Sequence, residues 1–311
     1  MKNKICLKLK WWWVDFIALF GWKPDLSVRN ENVRVLVFHG VCKDDEPYIN
    51  HRFIRLKRLE QLLIECKNHF HPINIVDFKE NRLSNSKLNI LFTFDDGYKN
   101  NLDLAIPLFA KYDIPITIFC NAVSAHLMDL LDISLKWQPE LINRFRVHFD
   151  ISQAPKNIKD VCKLQNADTF NKMRKYLSKN LNEELKENTK LYWELLSDKD
   201  LQVLSNNSLV HFGNHGAEHL FYPKLSQDEI EKDISMVIKR FQNLEIELHA
   251  FAYPFGAYHA QNIATIKNIG YNFQFLDDKP IEPNQFVFAR LTINPYISTI
   301  NQIIAILNGY Y

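Results

Sequence analysis

Short apolar runs alternate with amphipathic stretches along most of this chain. VRVLVFH (33–39), LNILFTF (88–94), PITIFC (115–120), SLVHFGN (208–214), ELHAFAY (247–253), YNFQFL (271–276) and VFARLTI (287–293) each read as a strand. They are short, and rich in β-branched and aromatic residues. Between them the apolar spacing turns helical, over 53–68, 102–113, 226–244, 259–269 and 298–308. Ser226 and Glu229 open one of these helices as a capping box, and Pro107 is placed to kink another. Alternating strands and helices of this kind predict a parallel sheet covered by helices. Seven or eight such units can close into a barrel; an open, doubly wound sheet is the competing layout.

The rhythm breaks over about 122–206, which is polar, lysine-rich and helical in pattern. This stretch reads as a helical insertion over the domain rather than a domain of its own. The organisation expected is an N-terminal helical segment over 1–30 and one domain over 31–311. That first segment, MKNKICLKLKWWWVDFIALFGW, resembles a secretion signal, but Lys8, Lys10 and Asp15 interrupt it and no small-residue cleavage site follows. It is too short and too charged to span a bilayer. Two readings stay open for it: an amphipathic helix lying on a membrane surface, or a helix packed on the domain itself.

Composition narrows the function. With 47% hydrophobic and 24% charged residues, the chain can bury a full core. A net charge of +2 gives no ground for a nucleic-acid partner. The five cysteines, Cys6, Cys42, Cys66, Cys120 and Cys162, are widely spaced and odd in number, which argues against a zinc ribbon or a disulfide framework. Free thiols fit a reducing compartment, so the expected location is cytoplasmic, with the inner membrane surface as the place where the first segment would make contact.

The polar residues that carry chemistry cluster where strands end. His39 ends the first run, Asp95, Asp96 and Gly97 the second, His215 follows 208–214, and Tyr253, Pro254, Phe255 and Gly256 end 247–253. In a parallel sheet all four groups meet at the carboxyl edge, where such folds carry their sites. Two adjacent carboxylates make each other harder to ionise, and a divalent cation removes that penalty. Asp96 with His215 and His219 makes a three-ligand set with room for water and substrate, leaving Asp95 as a candidate base. The same donors also suit iron(II) oxygenases, although there the carboxylate commonly lies close to one histidine in sequence.

FTFDDGYKNN resembles the first signature of the polysaccharide deacetylases, the NodB-homology carbohydrate esterases of family 4 type. GNHGAEH is similar to their second, and FAYPFG to their third-motif region. VRVLVFHGV resembles the opening strand of the branch acting on poly-N-acetylglucosamine, and the family order runs from about Val33 to Leu291. The resemblance implies an α/β fold, a distorted (β/α) barrel of about seven parallel strands. It also implies one divalent metal, zinc before nickel, cobalt or manganese, held by Asp96, His215 and His219. The activity implied is hydrolysis of an N-acyl, or sometimes O-acyl, group on a carbohydrate. Asp95 is then the base, His39 the acid, and Tyr253, Pro254 and Phe255 form the turn against the substrate, with a backbone N–H near Phe255 facing the oxyanion. Two features depart from the pattern. Gly216 replaces the usual Ser or Thr that braces the metal loop, and Ala252-Tyr253 replaces the usual arginine, leaving Arg290 as a candidate partner for Asp95.

Overall fold

The computed structural model describes residues 2–26, 32–46, 50–151, 157–277 and 284–311. Its centre is a ring of parallel strands. In chain order these are β1 (Val33–Phe38), β2 (Asn89–Phe94), β3 (Ile116–Cys120), β4 (Val210–Asn214), β5 (Leu248–Ala252), β6 (Gln274–Leu276) and β7, an interrupted strand made of Val287–Ala289 and Leu291–Thr292. Neighbours pair in sequence order, all parallel, from β1 through to β6. The first half of β7 pairs with β6 and its second half with β1, at Leu36↔Leu291 and Val37↔Thr292. One strand therefore closes the barrel, and it changes partner at Arg290. Below that point β1 and β7 part, and a cleft of about 1200 Å³ opens in the wall, reaching Asp277 and Arg290 at its inner end.

The period of two along each strand sorts side chains between axis and helices. On β2, Ile90, Phe92 and Phe94 join the outer core, packed under helices Leu56–His69, Ile106–Lys111 and Thr299–Asn308. Leu91 faces the axis with Val35, Phe119, Ala250, Ala252 and Phe275. By the same parity Thr93 and then Asp95 stack above Leu91, so the strand's pleat delivers the first carboxylate to the barrel mouth. β2 is buried at all six positions, as a parallel strand covered on both faces must be.

Residues 122–206 are mainly helical, with helices at Leu127–Trp137, Pro139–His148, Ile158–Lys163, Ala167–Asn180, Glu183–Asn188 and Asp198–Ser205. The first four share a core with Phe251 on the outer side of β5 and with Tyr253 just beyond it, while Leu201 and Leu204 of Asp198–Ser205 join the core on the outer side of β2. The expected helix at 53–68 begins later, at Leu56, because Ile54–Arg55 pairs with Val41–Cys42 as a small parallel ladder. A short strand at His71–Ile73 fills the lower half of the β2 edge left open by β3. Pro107 lies just after a π-helical turn over Asn101–Ala105 that runs straight into Ile106–Lys111; the wider bond from the Ile106 N–H to the Asn101 carbonyl marks a local irregularity of the helix beside the proline, which has no N–H to give.

The amino-terminal helix, Lys2–Ala18, packs on the carboxy-terminal helix Thr299–Asn308. Val14 is buried there, Asp15 accepts from Ser298 and Asn301, and Trp11 meets Tyr311 edge-on at 6.2 Å. No helix among the described residues is long and apolar enough to cross a membrane. Cys42, Cys66, Cys120 and Cys162 are free and buried, while the Cys6 side chain lies outside the described set.

Candidate metal centre

Asp96, His215 and His219 converge, and one potential ligand atom from each lies within 4.8 Å of the others. His215 Nε2 is 3.4 Å and His219 Nε2 3.2 Å from the same oxygen, Asp96 Oδ1. His215 Nδ1 is 2.8 Å from the carbonyl of Ala252. A carbonyl can only accept, so Nδ1 carries the proton and Nε2 presents its lone pair to the centre, as a metal-ligating histidine does. Both oxygens of Asp96 are buried without a hydrogen-bond partner among the described residues. A buried carboxylate that accepts no hydrogen bond is expensive; Arg52, 3.5 Å from Oδ2, offsets part of that cost, and a cation bound among the three donors would complete it. The donor set, one carboxylate and two imidazoles, fits a divalent ion such as zinc.

The backbone is held in costly shapes here. Asp96, His219 and Phe255 all have left-handed φ, at 72°, 54° and 60°. For side chains of this size each costs about 1–2 kcal/mol, and such strain gathers where function fixes it. Gly97 follows with φ 65°, and a Cβ there would stand 3.3 Å from the Sγ of Cys120 at the end of β3. The metal loop 215–219 is tied down from several sides. Asn121 donates to the carbonyls of His215 and Gly216, Asn214 accepts from the Gly216 N–H, and Asp233 accepts from the Glu218 N–H. Tyr222 donates to the other Asp233 oxygen at 2.8 Å. A Cβ on Gly216 would fall 2.4 Å from Asp233 and 2.8 Å from the Tyr222 hydroxyl. The loss of the usual Ser or Thr is thus met by a tyrosine–aspartate pair occupying the same space.

Asp95 does not stand free. Arg290 donates to both of its oxygens, at 2.7 and 2.6 Å, and also to Asp277 at 2.7 Å. Asp95 Oδ2 remains 3.9 Å from His215 Nε2, beside the metal group but outside it. His39 is buried at the end of β1, among the charges of Arg52, Asp96, Asp277 and Arg290. Of the three turn residues, only Phe255 meets the ligands, its ring centroid 4.4 Å from that of His219. Pro254 is buried beneath the loop near Gly216. Tyr253 points the other way: strand parity sends Ala252 to the axis and Tyr253 outward, where its hydroxyl donates to Gln274. Its side chain is fully buried in the outer core.

Several residues around the site carry no local sequence signal. His126, just ahead of helix Leu127–Trp137, is buried with Nε2 3.8 Å from Asp96 Oδ1 and its ring 4.9 Å from His219. Arg52 stands 3.5 Å from Asp96 Oδ2, with its other side-chain contacts, to Asn50, Tyr98 and Asp129, at 3.4 to 3.8 Å. Behind it, Tyr98 donates to Asp129 at 2.7 Å. Lys163, from the helical insertion, lies over the rings of Phe221 and Phe255.

These contacts set the charges. Burial works against ionising Asp96, but the nearby Arg52, His219, His126 and His215 outweigh it and hold the carboxyl well below its usual range. Burial also opposes charging His215, yet Asp95 and Asp96 reverse the balance and raise it. For His219 burial prevails and lowers the imidazole. Burial, aided by Arg52, pushes His39 down to about 3, and burial does the same to His126. Burial lifts Asp129 to about 7 and Asp233 to about 6.

A family model described as polysaccharide deacetylase matches residues 83–274, a span holding Asp95, Asp96, His215, His219 and the Tyr253–Phe255 turn. The chain superposes on IcaB from Ammonifex degensii with a TM-score of 0.59 at 14% identity, covering 90% of this chain and 98% of that one. It superposes on the deacetylase PplD from Streptococcus pyogenes, solved in complex with acetate, with a TM-score of 0.55 at 14% identity, covering 89% and 98%. A polysaccharide deacetylase from Bacillus cereus gives 0.57 at 15% identity, covering 89% and 69%. At these identities the likeness is one of fold. No curated protein matches the chain.

Proposed function

Because the chain belongs to the polysaccharide deacetylase family, we propose that it is a metal-dependent hydrolase that removes an N-acyl group, acetyl or formyl, from an amino sugar. The substrate is a glycan in surface-polysaccharide or lipid-linked assembly, of the poly-N-acetylglucosamine kind or near it, met on the cytoplasmic side at the inner membrane surface. The observation that carries this reading is the buried carboxylate of Asp96, which accepts no hydrogen bond among the described residues and faces two imidazole Nε2 atoms.

Asp96, His215 and His219 would hold the ion, zinc before nickel, cobalt or manganese. Bound there, a divalent ion supplies Lewis-acid polarisation and lowers the pKa of water. Asp95 takes the proton from the attacking water, and Arg290 fixes its carboxylate for that task. Water oxygen adds to the acyl carbon, the C–N bond breaks, and acetate or formate and a free amine leave. A backbone N–H in the Pro254–Gly256 turn is the expected oxyanion donor, worth about 3–4 kcal/mol of barrier. The leaving amine needs a proton, from His39 or from Asp95 after it has served as base. A non-catalytic glycan-binding role would draw support from Gly216 and the missing arginine. Arg290 and the Tyr222–Asp233 pair fill both places, which favours turnover.

The test is release of acetate or formate from N-acetylated and N-formylated amino sugars by metal-loaded protein, with Asp95→Asn as control. Activity lost in that variant supports the proposal. A metal-loaded protein that hydrolyses neither an acylated sugar nor an aryl acetate sinks it.

A further inference from the structure

From Leu7 onward the helix Lys2–Ala18 is apolar on two opposite faces. One, with Trp11 and Val14, packs against the carboxy-terminal helix, and the only acidic residue of the helix, Asp15, is engaged there by Ser298 and Asn301. The opposite face and the turn after it carry Leu9, Trp12, Trp13, Phe16, Leu19 and Phe20, each 40–83% exposed. These side chains touch one another, with Phe16 stacked on Trp12 and Trp13 at 5.8 Å and Phe20 edge-on to Phe16 at 5.2 Å. At about 100° per residue, Lys8 and Lys10 fall on the two borders between these faces, and both are exposed.

We infer that this outer face lies flat on an anionic lipid bilayer, with the aromatic side chains in the interface, Lys8 and Lys10 at the headgroups, and the inner face clamping the helix to the barrel. A contiguous exposed patch of this kind marks an interaction surface. Tryptophan flanked by lysine is the composition suited to a membrane interface rather than to a dry protein contact. A second copy of the chain is a poor occupant, since two such helices would bring lysine borders together with no acidic side chain left to meet them. Anionic headgroups supply that complement. The inference shares its membrane location with the proposed function but does not depend on the deacylation, because the metal residues lie on other elements; the lipid contact and the catalysis can fail separately.

The full-length protein is mixed with vesicles of phosphatidylcholine alone, or with an equal part of phosphatidylglycerol, and sedimented. Binding to the anionic vesicles with a blue shift of tryptophan fluorescence is expected. Lys8→Glu with Lys10→Glu should weaken that binding by about tenfold or more, and Trp12→Ser with Phe16→Ser should abolish it. Both pairs alter solvent-facing side chains, and an unchanged thermal unfolding profile confirms that each variant is folded. The inference is overturned by no sedimentation with either vesicle, by equal binding to both, or by a lipid-free dimer that the Trp12/Phe16 pair of changes dissociates.

Discussion

Arg290 grips Asp95 through both carboxylate oxygens, at 2.7 and 2.6 Å, from the one residue of β7 where the barrel-closing strand changes partner. The guanidinium is buried, and burial alone would disfavour its charge, but Asp95 and Asp277 reverse this and raise its pKa. The residue at which the closing strand changes partner is therefore also the one whose side chain positions Asp95. Removing one partner leaves a buried charge uncompensated, so Arg290→Met should destabilise by about 3–5 kcal/mol. Arg290→Lys keeps the charge but cannot make the planar two-point contact. It should stay folded and lose roughly 10- to 100-fold in kcat with little change in KM. Urea unfolding and steady-state deacylation measure the two effects; an active, stable Arg290→Met would break the link.

The metal group gives a second prediction. Protein purified without chelator should carry about one divalent ion per chain. Chelation should lower the unfolding temperature, and restoring the ion at a hundredfold excess over its Kd should return about 2.7 kcal/mol. Asp96→Asn, His215→Gln and His219→Gln should each lose both the ion and the stabilisation. Metal content by mass spectrometry decides; a variant of His219 that retains a full complement of ion would remove it from the ligand set.

The strand ends were legible in the sequence because period two is a local rule. It puts Leu91, Thr93 and Asp95 on the axis side of β2, and it puts Tyr253 outside once Ala252 is inside. The Asp-Asp and His-x-x-x-His spacings marked the metal group for the same reason, since neighbours in sequence become neighbours in space. The support of the site was not legible. Arg52, His126, Asp129 and Asp277 reach it from a loop, the start of the helical insertion and the end of β6, and no spacing links them to Asp96. Asp233 lies on helix Gln227–Asn243, where its spacing reads as an ordinary helical position; only packing brings it to Gly216. The strand at His71–Ile73 is too short to show a period at all.

Gly216 yields a third prediction. Serine there matches the family pattern, but its Cβ would fall 2.4 Å from Asp233 on a backbone with φ 68°. Gly216→Ser should therefore cost about 1–3 kcal/mol and weaken metal binding. Adding Tyr222→Phe, which removes one crowded hydroxyl, should recover part of the loss. Calorimetric metal titration and thermal unfolding test this. A Gly216→Ser variant with tighter metal binding would show that the Tyr222–Asp233 pair does not replace the missing brace.

The same aspartate gives a pH dependence of known sign. Burial lifts Asp233 from 3.8 to about 6, so the folded protein holds its proton more tightly than the unfolded chain does. Its contribution is complete below pH 3.8 and is lost as pH rises through about 6. Asp233→Asn cannot titrate. The stability of the wild type relative to this variant should fall by roughly 3 kcal/mol at most between about pH 4 and pH 7. Urea unfolding of both proteins across that range measures it, and a difference that is flat or rises with pH contradicts the assignment.

His39 poses the sharpest question about the proton returned to the amine. Burial and Arg52 hold its imidazole at about 3, so in the protein without ligand it is neutral near pH 7 and has only its N–H proton to give. If it serves as the acid, it must be charged by the time the C–N bond breaks. An aryl acetate needs no such help, because a phenolate leaves unprotonated. His39→Gln should then lose about 100-fold or more in hydrolysis of an N-acetyl amino sugar while keeping most of its activity on the aryl ester. Asp95→Asn should lose both, since attack by water precedes either departure. Equal losses on amide and ester in His39→Gln would instead make His39 a positioning residue for the site, and Asp95 would then carry the proton in both directions.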